Sequence, residues 1–335
     1  MNSRDQARPA KVTVRPMREG DLDEADRIMR LAFGTFLGLP EPMKFMGDAD
    51  YIKTRFRADP QAALVAEDKA EDNKIVGSNF ALDWGSVGVF GPLTIDPKYW
   101  NLGVARSLLE STMEIFEKWG TRHMGLFTFA QSTKHVHLYQ KFGFWPRYLT
   151  AVMSKEIGHG SKAPGDDDTT YRYSRLDSTQ KKEEAIASCA RLTGKIYGGL
   201  DLKKEIASVE NQKLGDTILI KDLENREELA GFAICHSGPG TEAGTGNCYI
   251  KFAAVAPARI SSAPKDFVRL LNECERYAHA TNASRLVGGA NTARNRAYVE
   301  MMNQGFRTDM QGVAMHRPDE PGYNLPDVYL IDDWR

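Results

Sequence analysis

The chain has 335 residues, enough at roughly 100–200 residues per domain for two domains that each bury a core. Apolar residues make up 41% and charged residues 27%, the balance of an ordinary globular protein. A formal net charge of −1 excludes a global electrostatic pull toward nucleic acid or an anionic membrane surface.

No apolar run approaches the roughly 20 residues that span a bilayer. The opening MNSRDQARPAKVTVRP carries no apolar core of the signal-peptide kind, so a cytoplasmic location is expected. Cys189, Cys235, Cys248 and Cys274 match no zinc or redox spacing and read as small buried thiols of a reducing compartment.

In chain order, Val12–Val14 alternates like a short strand. Asp21 stands as an N-cap before a helix whose Leu22, Ala25, Ile28, Met29, Ala32, Phe33 and Phe36 recur at helical spacing. A second helix is predicted near Ala49–Arg57. Ala62–Glu67 and Lys74–Asp83 read as strands of a hairpin around the charged turn DKAEDN. Val87–Ile95 reads as a strand interrupted at Gly91-Pro92. A helix from Gly103 to Trp119 follows, then a strand at His123–Phe129, a helix at Lys134–Phe142 and a strand at Tyr148–Glu156.

The polar, glycine-containing run 158–168 predicts a linker between a domain at 11–157 and one at 169–335. The second part repeats the order loosely. A helix is expected at Thr179–Tyr197, strands at Thr217–Asp222, Glu228–His236 and Asn247–Val255, and a helix at Pro264–Thr281. A strand at Leu286–Gly289 and a helix at Ala293–Gln304 complete the series. The helix-ending phrases Lys141-Phe-Gly-Phe144 and Asn303-Gln-Gly-Phe306 match, which suggests a tandem duplication. Both parts predict a mixed α/β sheet with helices on its faces. The closing stretch PGYNLPDVYLI reads as extended, with Trp334 packing on a domain.

The segment Gly91–Glu110, GPLTIDPKYWNLGVARSLLE, carries the chemistry. A strand ends, a short turn with glycine follows, and a helix begins. The first helical turn offers N–H groups without intrahelical partners, and the helix dipole favours an anion there. Gly103 and Ala105 keep that surface low, which suits a pyrophosphate as well as an ordinary strand–helix turn. His135 and His137 lie two apart on a helix and point to different faces, so no metal pair and no metal site is expected. The run 238–246, GPGTEAGTG, lacks the Lys-Ser/Thr that would make it a phosphate loop.

The segment resembles the cofactor motif of the GNAT superfamily of N-acyltransferases, whose pattern is Arg or Gln, two residues, Gly, one residue, then Gly or Ala. It stands here as Trp100-Asn101-Leu102-Gly103-Val104-Ala105, preceded by Leu93-Thr94-Ile95-Asp96-Pro97. Trp100 departs from the usual Arg or Gln. A second match is Leu138-Tyr139-Gln-Lys-Phe-Gly143-Phe144, before which Ser132 replaces the family's usual Asn. The likeness covers 12–157 well. In the later part Met301 stands at the position of Tyr139 and no glycine follows Val255-Ala-Pro257, so a phosphate cradle is not expected there.

The resemblance implies a tandem GNAT fold with a degenerate, non-catalytic second domain. It implies acetyl-CoA as cosubstrate, its pantetheine arm on the backbone of Leu93 and Ile95, its pyrophosphate on the amides of Leu102, Gly103, Val104, Ala105 and Arg106, and Thr94 and Asn101 within the same cofactor site, with an N–H near Leu93 or Thr94 for the oxyanion. A further contact would come from Ser132. By implication an amine attacks the thioester directly, Tyr139 protonates the departing thiolate, and Asp83, Glu41 or water takes the amine's proton. The acceptor would be a small-molecule amine or an amino terminus, with no nucleic acid and no membrane partner. A non-catalytic acyl-CoA sensor and a transferase of a longer acyl chain are the alternatives. Roofing the pocket or forming a homodimer are the roles open to the second domain.

Overall fold

The computed structural model describes residues 12–158, 169–257 and 262–335. The expected linker, apart from Gly158, and the stretch 258–261 lie outside the described residues. In chain order the elements are β1 (Val12–Pro16), α1 (Leu22–Phe36), α2 (Ile52–Ala58), β2 (Ala63–Asp68), β3 (Lys74–Trp84), β4 (Val87–Phe90), β5 (Thr94–Ile95) and α3 (Val104–Trp119). Next come β6 (His123–Thr128), α4 (Thr133–Gln140), β7 (Trp145–Glu156), β8 (Thr170–Arg172), α5 (Thr179–Ile196), α6 (Lys203–Gln212) and β9 (Gly215–Lys221). The series ends with β10 (Leu229–Gly238), β11 (Gly244–Val255), α7 (Ala263–Ala280), β12 (Arg285–Asn291), α8 (Asn295–Asn303), β13 (Arg307–Arg317) and β14 (Leu330–Ile331). The fold is mixed α/β. Among the described residues no helix is long and apolar enough to cross a membrane.

The chain divides into two compact units that do not follow the sequence halves. Among the described residues the first holds 12–47, 51–82 and 90–119; the second holds 48–50, 83–89, 120–158, 169–257 and 262–335. The stretch 120–157 therefore groups with the later residues.

In the first unit β1 pairs antiparallel with β2, and β2 with β3. The short β5 pairs antiparallel with β3 through Gly77–Ile95 and Ser78–Thr94. Helix α3 packs Val104 and Leu108 onto Leu64, Ala66 and Val76 of the strands. Asp21 sits at the α1 N-cap, yet its carboxylate is held by the Arg15 guanidinium at 2.6 and 3.0 Å and by the Arg18 N–H at 2.7 Å, not by α1 amides.

The second unit contains a mixed sheet in the order β4-β6-β13-β7-β12-β11-β10-β9-β8, with β14 added on β11. Pairing is parallel for β4–β6 and β11–β12 and antiparallel elsewhere. Strand–helix–strand occurs twice, as β6–α4–β7 and as β12–α8–β13. The two closing strands change places: β13 lies between β6 and β7, and β7 lies between β13 and β12. Sequence patterning gave no strand at 307–317, since its first five residues are largely exposed and only Gly312–His316 are buried. The exchange needs close backbones, and a Cβ at Gly312 would stand 2.2 Å from the Phe127 ring.

Strands β6 and β13 carry two fully buried imidazoles, His123 and His316, joined Nε2 to Nδ1 at 3.0 Å. Among the described residues His123 Nδ1 has no hydrogen-bond partner. Burial, with Arg147 nearby, pushes His123 down to about 4. Burial, with His123 and Arg147, pushes His316 down to about 3.

A fragment ending at Gly158 leaves β6 and β7 without the strand that joins them, so we expect it to be insoluble or unfolded alone and rescued by co-expression with 169–335. Soluble yield and far-ultraviolet circular dichroism check this, and a stably folded isolated fragment would refute it. Between the ordinary imidazole value of 6.5 and about 4, the unfolded chain binds protons that the folded chain refuses. Stability should therefore fall as pH drops through that window, and the slope of urea midpoint against pH should flatten in His316→Gln.

Candidate functional site

The turn between β5 and α3, all within the first unit, is built from side chains that bond back to the main chain. Asp96, 3% exposed, accepts from its own turn at Lys98 N–H (3.0 Å) and from Arg27 of α1 (3.1 Å). The Asp96 N–H donates to the Val76 carbonyl at 2.9 Å, which extends the β5–β3 pairing by one bond. Ser78 and Thr94 share a buried hydroxyl contact at 3.1 Å. Trp100, standing where the motif pattern has Arg or Gln, donates its indole N–H to the Ile95 carbonyl at 2.9 Å. The tryptophan is thus a brace between the turn and the end of β5, a role its sequence position did not disclose. The Ile95 carbonyl keeps a second lone pair for a ligand.

Two residues of this turn are left-handed, Asn101 at φ 69° and Gly103 at φ 89°. Asparagine tolerates that region through its short polar side chain and glycine through the lack of Cβ. The turn directs the start of α3 outward: Gly103 is exposed, and a Cβ on it would meet nothing within 4 Å. Val104, by contrast, is 1% exposed and anchors the helix to the core. The Leu102 N–H donates to the Tyr99 carbonyl (3.3 Å) and the Arg106 N–H to the Gly103 carbonyl (3.0 Å). The expected row of amides is therefore narrowed at both ends, leaving Gly103, Val104 and Ala105 at the open N-terminus of a 16-residue helix. The Arg106 side chain is exposed and pairs with Glu110 at 2.9 Å. Leu93 is half-buried against the same core.

Of the other candidate residues, Glu41 lies in the first unit on an exposed loop and pairs with Lys44 at 2.7 Å. Asp83, Ser132 and Tyr139 belong to the second unit. Asp83 Oδ2 pairs with Lys204 of α6 at 2.9 Å, while its Oδ1 accepts the Gly85 N–H at 2.9 Å. Helix α6 was not recognised in the sequence, although Leu202, Ile206 and Val209 carry a helical spacing and are all buried. Ser132 is the N-cap of α4, and its hydroxyl does not cap the helix. Tyr139 is 7% exposed, near the end of α4, where its carbonyl accepts from the Phe142 and Phe144 N–H groups at 2.9 and 3.1 Å. Gly143, at φ 80°, makes that return possible. Burial raises the Tyr139 phenol far above its ordinary range, so it holds its proton across neutral pH.

The comparisons with known proteins bear on this geometry. Residues 26–144 match the acetyltransferase (GNAT) family. A search of curated proteins finds no match. Among solved structures the chain is similar to a Pyrococcus horikoshii protein assigned as an acetyltransferase, at 13% identity and TM-score 0.64, covering 96% of this chain and 95% of that one. It is also similar to a GCN5-related N-acetyltransferase from Sphaerobacter thermophilus, at 14% identity and TM-score 0.59, covering 93% and 96%. A third is a GCN5-related glucosamine N-acetyltransferase region of a fungal multi-domain β-N-acetylglucosaminidase, at 15% identity and TM-score 0.61, covering 92% of this chain and 38% of that one. At these identities the structural likenesses speak for the fold, and they extend it over nearly the whole chain. The family match spans α3 with its left-handed turn and Tyr139 on α4. Residues 26–144 are a domain of the acetyltransferase (GNAT) family, whose chemistry is acyl transfer from acyl-CoA to an acceptor.

Proposed function

We propose that the protein is an N-acetyltransferase that uses acetyl-CoA and acylates a primary amine, a small molecule or an amino terminus, by direct attack. The observation that carries the reading is the turn at Asn101–Gly103. It sets Gly103, where an added Cβ would meet nothing within 4 Å, at the start of α3 and inside the stretch that matches the family. The N–H groups of Gly103, Val104 and Ala105, together with the helix dipole, would hold the pyrophosphate. The backbone of Leu93 and Thr94, with the Ile95 carbonyl's remaining lone pair, would align the pantetheine arm as an added strand. Acetyl-CoA supplies the activated thioester. A backbone N–H near Leu93 or Thr94 would stabilise the oxyanion.

Tyr139 is the proposed general acid. Its buried phenol keeps its proton at neutral pH and can give it to the departing thiolate as the carbon–sulfur bond breaks. Asp83 pairs with Lys204 and Glu41 with Lys44, and the amine's proton goes to one of these carboxylates or to water.

Calorimetric titration with acetyl-CoA tests the cofactor site. Gly103→Glu should weaken binding about 100-fold, since a carboxylate against a phosphate a few ångströms away costs on the order of 3 kcal/mol. Gly103→Ala should cost only about 1–2 kcal/mol of left-handed backbone strain. Unchanged binding in Gly103→Glu would place the cofactor elsewhere. In an amine screen, Tyr139→Phe should lower kcat about 100-fold or more with the acetyl-CoA KM little changed. Full turnover in that variant would remove Tyr139 from the chemistry. Binding without turnover of any amine would favour the sensor reading.

A further inference from the structure

The two strand–helix–strand repeats of the second unit begin alike. In the first, β4 and β6 run parallel and stay in register for only three residue pairs, Val87–His123 to Val89–Gly125, while β6 continues to Thr128. In the second, β11 and β12 run parallel from Asn247–Arg285 to Tyr249–Val287, while β11 continues to Val255 and β12 to Asn291. Parallel strands that part leave inward-facing backbone groups to be satisfied by something else. Beyond Gly125, β6 pairs only with β13 among the described residues.

In the second repeat the opening is filled. β14 pairs antiparallel with β11 through Ala253–Ile331 and Ala254–Leu330, and the Val255 N–H donates to the Tyr329 carbonyl at 3.2 Å. Two glycines of β12 let the segment lie close. A Cβ on Gly288 would stand 3.1 Å from Ile331 Cγ2, and one on Gly289 would stand 2.5 Å from Asp333 Cβ. The residues that follow are held by buried polar groups. Arg294, fully buried, donates to the Asp332 carboxylate at 2.7 Å and to the Asp332 carbonyl at 2.9 Å. The Tyr249 hydroxyl donates to Asp333 at 3.0 Å, and the Trp334 indole donates to the Tyr323 hydroxyl at 2.8 Å. Trp334 reaches the first repeat, where a Cβ on Gly125 would stand 2.3 Å from its ring.

We propose that Tyr329–Arg335 is a built-in occupant of the gap between β11 and β12, pairing with β11 as an extended diamide ligand such as a pantetheine arm would. The chain then offers acyl-CoA one strand gap instead of two. This consequence for stoichiometry rests on the acyl-CoA reading above; the occupancy does not.

Two measurements on the full chain test the occupancy without any ligand. In Ala253→Cys/Ile331→Cys the paired positions suit a disulfide, because facing antiparallel residues lie about 4.5–5.5 Å apart at Cα. With oxidised glutathione the cross-link should form in the folded protein. In the unsubstituted chain the amides of Val255 and Ile331 should exchange with deuterium about 100-fold or more slower than in an unstructured peptide. Free exchange at Val255 and Ile331 in the unsubstituted chain would overturn the proposal, whether or not the variant folds. Titration with acetyl-CoA then addresses stoichiometry. One equivalent per chain, with affinity within about 2-fold in the cross-linked form, is expected. A second equivalent, or binding abolished by the cross-link, would overturn the single-gap consequence. Absence of binding to the native chain would sink the acyl-CoA reading while exchange and cross-linking still decide the occupancy.

Discussion

The antiparallel ladders that β13 makes with β6 on one side and β7 on the other are the constraint on which the second unit depends. A strand from late in the chain completes a sheet whose neighbours were laid down much earlier, and β7 does the converse service for β12. Neither repeat closes its own sheet. Backbone groups of all four strands are satisfied only when both repeats are present, which ties the position of Tyr139 on α4 to residues far along the chain. The buried pair His123–His316 lies on two of these strands, so the polar interior of the unit is shared in the same way.

The first unit is organised around a smaller device. Asp96, Trp100 and the left-handed residues Asn101 and Gly103 turn the chain from β5 into α3 with every anchoring bond made to the main chain or to Arg27. The result is a rigid seat whose outer surface is bare amide and glycine. Such a surface suits a ligand recognised by phosphate charge and backbone pairing, and it leaves the choice of acceptor to residues elsewhere.

Much of this was legible in the sequence because it is local. Helical spacing located α1, α3 and α7 to within a residue or two, and the interruption at Gly91-Pro92 separates β4 from β5. The turn at Gly103 stood out because a strand end, a glycine and an apolar helical run follow one another within a few residues. Partners distant in sequence were not legible. Nothing near Asp83 announces Lys204, and nothing near Ile95 announces that an indole five residues on would take its carbonyl. β13 escaped notice because half of it is exposed, and α6 because a charged surface masks its three apolar anchors. The division into compact units was hidden for the same reason, since strand exchange leaves no mark on composition.

The interleaving of β13 also sets a schedule for biosynthesis. Strands β6 and β7 leave the ribosome roughly 150 residues before β13 does, which at about 5–20 residues per second is on the order of ten seconds. Throughout that interval each presents an unpaired edge, the kind of surface that recruits foreign strands. A nascent chain of this protein thus carries those edges until its later residues emerge.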